Sequence, residues 1–80
     1  MLKYFFDVYR DHELIPDEVG SEFADLPTAV REAVLVLGEL TREELATATS
    51  LELAILVRDQ SGRQLLNAKV RFDMEFNSLK

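Results

Sequence analysis

LELAILVRDQSGRQLLNAKVRFDMEF, residues 51–76, is the stretch in which the chain declares a sheet. Leu53, Ile55 and Val57 share one face and Ala54 and Leu56 the other, and a period of two marks a strand. Asp59-Gln60-Ser61-Gly62 breaks the alternation as a turn, with Gly62 free to adopt a left-handed backbone. Beyond it, Leu66, Ala68, Val70, Phe72, Met74 and Phe76 alternate with Asn67, Lys69, Arg71, Asp73 and Glu75. That pattern predicts an antiparallel strand with one face on a core and one in water. A four-residue loop pairs Ile55 with Leu66 and Leu53 with Ala68 and keeps apolar faces together. It is preferred over a three-residue loop that sets Leu56 opposite Leu66. The second strand is the longer, which leaves Phe72 to Phe76 to pair with the first strand of the chain or with another molecule.

Upstream the period changes. Leu26, Ala29, Val30, Ala33, Val36, Leu37 and Leu40 fall on one helical stripe, with Val34 at its border and Leu35 pointing away. Asp25 is placed to cap this helix and Pro27 to occupy its first turn. The spacing predicts a helix over 26–45, with a kink near Thr41, where Thr41 and Glu44 form a capping-box pair and Glu44 interrupts the stripe. Gly38 weakens the interior and points to a close approach or a bend. The opening KYFFDVYR (3–10) reads as a strand with Tyr4, Phe6 and Val8 on one face and Phe5, Asp7 and Tyr9 on the other. Arg10 to Glu13 make a turn, Leu14-Ile15-Pro16 a short edge strand, and Gly20 a further turn. Together these elements predict one α+β domain spanning 1–80: ββαββ, a four-stranded antiparallel sheet with one helix packed on one face. A single helix cannot cover both faces. Phe5, Tyr9, Leu35, Leu56 and Leu65 are therefore the candidate interaction surface.

Eighty residues leave no room for a second domain, and 48% apolar with 30% charged residues is ordinary for a globular chain. The absence of cysteine excludes disulfides, thiolate nucleophiles and sulfur-ligated zinc. No apolar run reaches the roughly 18–20 residues of a membrane span, and no basic-then-apolar signal opens the chain; a cytoplasmic setting is expected. The net charge of −6 is local: residues 1–25 carry −5, and residues 51–80 carry +1. An acidic N-terminal third repels phosphate backbones, so nucleic-acid binding is not expected.

The chemistry-bearing residues are sparse. His12 is the only histidine, sits in a turn between Asp11 and Glu13, and lacks the partner and dry pocket of a general base. Asp7, Asp11, Asp17 and Glu18 lie near one hairpin and could converge on a hard cation. No calcium-loop spacing accompanies them, and solvating or structural roles are the simpler reading. Asp7, inside an aromatic strand, is placed to accept hydrogen bonds from a neighbouring loop and pin the first hairpin. Thr47, Thr49 and Ser50 have no base to activate them, and the glycines at 20, 38 and 62 are too isolated for a phosphate loop. Lys69 and Arg71 with Phe5 and Tyr9 have the residue types of a sheet that binds single strands, but Asp7, Asp73 and Glu75 are interleaved with them. Neither a catalytic group nor a cofactor site emerges.

Tyr4-Phe5-Phe6-Asp7, Asp17-Glu18-x-Gly20-x-Glu22, Asp25-Leu26 with Ala29 and Glu32-Ala33, and Val57-Arg58-Asp59-x-x-Gly62 resemble a family of short uncharacterised alphaproteobacterial proteins grouped as a domain of unknown function. That resemblance spans nearly the whole chain and implies a bacterial cytoplasmic protein without an assigned activity. Phe23-Ala24-Asp25-Leu26-Pro27 is more distantly similar to a segment of HicB-type antitoxin domains, where it leads into a further strand rather than a helix. The expected function is a non-enzymatic interaction module that self-associates or binds a protein partner through the open sheet face or an edge strand. The alternative is an antitoxin-like regulatory domain that neutralises a small basic protein.

Overall fold

The computed structural model describes residues 1–77. The chain runs β1 (Leu2–Arg10), β2 (Glu13–Ile15), β3 (Ser21–Phe23), α1 (Leu26–Leu45), β4 (Ser50–Asp59) and β5 (Gln64–Asp73). All five strands form one antiparallel sheet, with β4 between β1 and β5, and β2 and β3 both on the outer side of β1. The α+β class and the single helix over an open sheet stand as expected. The four-strand ββαββ layout is corrected by β3.

β2 and β3 are two pieces of one interrupted strand. Val8 pairs with Ile15 and Tyr4 with Ser21, so residues 16–20 must pass opposite Phe5–Asp7 alone. The two extra residues form a wide bulge, and β3 picks the ladder up again beyond it.

Between β4 and β5 the register is Ile55 opposite Ala68, Val57 opposite Leu66 and Leu53 opposite Val70, not the predicted Ile55–Leu66 and Leu53–Ala68 pairs. The turn is tighter than expected because Asp59 closes it. Its carboxylate accepts the Ser61 and Arg63 amides at 3.0 and 2.9 Å and the Ser61 hydroxyl at 2.7 Å. Arg58 then stands opposite Gln64, and a register shift at Val57/Arg58 takes up Leu65, so the apolar faces realign. The end of β5 pairs with β4 rather than β1. Asp73 is opposite Ser50, and the Met74 amide donates to the Thr49 carbonyl at 2.8 Å.

The helix spans the predicted residues. Asp25 caps it by accepting the Thr28 amide at 2.9 Å, with proline in the first turn. It continues through Thr41, whose hydroxyl donates to the Leu37 carbonyl at 2.7 Å instead of starting a new cap. Glu44, out of phase with the stripe, pairs with Arg10 of β1 at 2.6 Å. The core lies between helix and sheet: Ala29, Ala33 and Leu37 pack over Tyr4, Leu51, Leu53, Ile55 and Val57. Phe6 stacks on Phe23 with ring centroids 5.6 Å apart, which ties β3 into this layer. The radius of gyration is 15.0 Å, above the roughly 12 Å of a compact chain this long, because the body is elongated, with extents of 59 × 21 × 17 Å.

Gly38 is exposed, and no atom lies within 4 Å of where its Cβ would stand, so close approach does not explain it. Gly38→Ala should raise stability by about 0.5–1 kcal/mol, read as a higher urea midpoint at unchanged slope.

Candidate interaction surface

On the side of the sheet away from the helix, three distant stretches meet. Asp7 of β1 is only 9% exposed. Its carboxylate accepts the Asp17 amide at 2.8 Å and the Arg58 Nε at 2.8 Å, with Arg58 Nη2 at 3.3 Å. The same Nη2 donates to the Asp17 carbonyl at 2.8 Å. The Asp17 carboxylate accepts the amides of Phe6 at 3.1 Å, Val19 at 3.0 Å and Gly20 at 2.9 Å. The Phe6 amide lies where the bulge has removed its strand partner, so the Asp17 side chain supplies the missing acceptor. Pinning of the first hairpin by Asp7, anticipated from sequence, is realised here through the amide of Asp17.

Phe5 is enclosed by this clasp. The Arg58 guanidinium lies 4.4 Å from the ring centroid, and the Lys3 ammonium 6.0 Å from it. Gly20 covers another part of the ring. Its φ is +75°, and a Cβ there would stand 2.8 Å from Phe5 Cε2. Both backbone and space therefore require glycine.

Beside the clasp, Tyr9, Glu52, Ala54, Leu56, Asn67 and Lys69 line an open groove of about 320 Å³. Ala54 forms its floor at 4% exposure, and Tyr9 and Leu56 are half-buried walls. Asp11 closes the β1–β2 turn in a left-handed conformation, φ 55°. It binds β4 by donating its amide to the Glu52 carbonyl and accepting the Glu52 amide. Asp7, Asp11 and Asp17 are thus occupied by backbone and guanidinium donors, and His12 is exposed at the turn. Among the described residues, no three His, Asp or Glu side chains gather as metal ligands.

The structure brings Phe5, Tyr9 and Leu56 to one face and separates the other two expected residues. Leu35 is exposed on the helix, away from the core stripe. Leu65 sits at the β-bulge and packs against the core cluster. Sequence reading did not find Asp17 and Arg58 as partners of Asp7, nor Ala54 as a floor.

Fold and surface define an open-faced α+β domain whose helix covers one side of its sheet only. The chain belongs to the DUF6894 family, a domain of unknown function, whose model matches residues 3–71. The matched span contains the whole clasp and groove. No curated protein and no solved structure matches the chain.

Burial disfavours the charged form of Asp17, but the Gly20, Phe6 and Val19 amides and the charge of Arg58 outweigh it, and its pKa is lowered. A carboxylate lowered by folding stabilises the fold above its unfolded pKa, and that contribution disappears as pH falls through the folded value. Wild-type stability should therefore drop below about pH 4. Asp17→Asn should drop less in urea titrations at pH 7 and pH 3, and an equal drop would contradict the assignment. Part of the fall remains in the variant because Asp25 and Asp59 are also lowered, chiefly by Thr28 and Ser61. Gly20→Ala should cost about 1–3 kcal/mol, seen as a lower thermal midpoint.

Proposed function

We propose that this protein is a non-enzymatic interaction module that binds a protein partner through the helix-free face of its sheet. The observation that carries this reading is the groove over Ala54, flanked by Tyr9 and Leu56 and left uncovered by the helix. The edges fit less well. The outer edge is broken by the bulge between β2 and β3, which blunts strand addition, and β5 carries Lys69 and Arg71. We place the module in the bacterial cytoplasm, following the resemblance of its motifs; no described helix is long and apolar enough to cross a membrane. Nucleic acid is a poor partner, because residues 11–22 carry five carboxylates and no lysine or arginine. The same acidity supports the second reading, an antitoxin-like domain that masks a small basic protein.

Pull-downs with tagged wild-type, Leu56→Asp and Leu35→Asp proteins separate the readings. Leu56→Asp should abolish capture, whether of another protein or of untagged chain, and Leu35→Asp should leave it intact. Capture that survives Leu56→Asp but vanishes at high salt would transfer the function to the acidic edge.

A further inference from the structure

We infer that residues 12–22 form a strap, fixed at both ends and latched at its middle by Asp17, that lifts off β1 as one unit while the helix and strands β1, β4 and β5 stay folded.

The two ends are held differently from the middle. At one end the Asp11 amide donates to the Glu52 carbonyl at 2.8 Å and the Asp11 carboxylate accepts the Glu52 amide at 3.2 Å, which ties the chain to β4. At the other end Phe23 stacks on Phe6, lies 6.3 Å from the Tyr4 ring and packs against the core. Between these anchors no residue is buried, and Leu14, Ile15 and Val19 are 54%, 47% and 76% exposed. Apolar burial therefore does little to hold the strap down, and its ladder with β1 is broken into two short pieces. What remains is polar and converges on one residue. Asp17 donates its amide to Asp7, accepts Arg58 Nη2 at its carbonyl and accepts the Phe6 amide at its carboxylate. The Val19 and Gly20 amides bond to the Asp17 carboxylate rather than to the sheet, so they leave with it. Asp7 and Arg58 stand on paired strands that stay, and they keep their ion pair when the strap lifts. Opening therefore strands no unpaired charge, which keeps its cost low.

Lifting uncovers the outer edge of β1 and the Phe5 ring, which Gly20 covers. The Phe6 amide points at the strap, and successive amides of a strand point to opposite edges. The Tyr4 and Val8 amides therefore face the strap too, whereas those of Phe5, Asp7 and Tyr9 face β4. On the interaction reading above, release adds Phe5 to the apolar surface that Tyr9 and Leu56 offer a partner, and the strap regulates that face. The opening itself does not depend on that reading.

Hydrogen exchange followed by NMR on the purified chain, with no partner present, tests the strap. The Tyr4, Phe6 and Val8 amides should exchange at least about tenfold faster, relative to their intrinsic rates, than those of Phe5, Asp7 and Tyr9, which wait for global unfolding. Ile55→Val weakens the core and should speed the second set about fivefold while leaving the first unchanged. Asp17→Ala should speed exchange at Tyr4 and Val8, whose amides it does not touch, about tenfold or more. Equal protection of both sets, or equal acceleration of both by Ile55→Val, would overturn the strap. Unchanged exchange at Tyr4 and Val8 in Asp17→Ala would overturn the latch.

Discussion

One helix of twenty residues can cover one side of this sheet, and every other feature follows from that limit. The covered side is built around β4, which supplies Leu51, Leu53, Ile55 and Val57, each at most 3% exposed. Small residues at Ala29 and Ala33 let the helix lie close to that strand, and the longer Leu37 fills the space one turn on. Among the described residues no second layer covers the opposite face, so its stability there does not come from burial against a helix.

There the structure substitutes hydrogen bonds and charge for apolar cover. Asp7, Asp17 and Arg58 satisfy the backbone where β2 gives way to β3, and the Arg58 head shields Phe5. The guanidinium is partly exposed, so solvent screens the pair, and its main contribution is directional: it fixes the outer strand pieces on β1. Motif residues 4–7, 17–22 and 57–62 thus meet in one place without forming a catalytic constellation. The clasp lies on the same face of the sheet as the groove over Ala54.

Much of the fold was legible because its signals are local. The stripe from Leu26 to Leu40, capped by Asp25, located the helix, and strict alternation from Leu51 to Phe72 located the long hairpin. What escaped depends on contacts distant in sequence or on bulges. β3 is three residues long and exists because Asp17 resolves the interruption before it, a role its spacing does not announce. The hairpin register turned on Leu65, which looked like an outward residue and is instead the one that β5 takes up at its bulge. Glu44 looked like the end of a stripe until Arg10 came beside it. Of the expected surface, Tyr9 and Leu56 were readable from alternation, whereas Leu35 belonged to the same helix as the core stripe but to its opposite side.

The chain contains two tyrosines, and they divide the two faces: Tyr4 is buried beneath the helix, and Tyr9 lines the open groove. Fluorotyrosine incorporated at both positions gives one fluorine signal for each face in a single sample. The account expects the Tyr9 signal to shift and broaden when a protein captured in the pull-down is added, as the partner covers the groove, while the Tyr4 signal stays fixed. A Tyr9 signal that stays at its partner-free position once the captured protein is bound would contradict it.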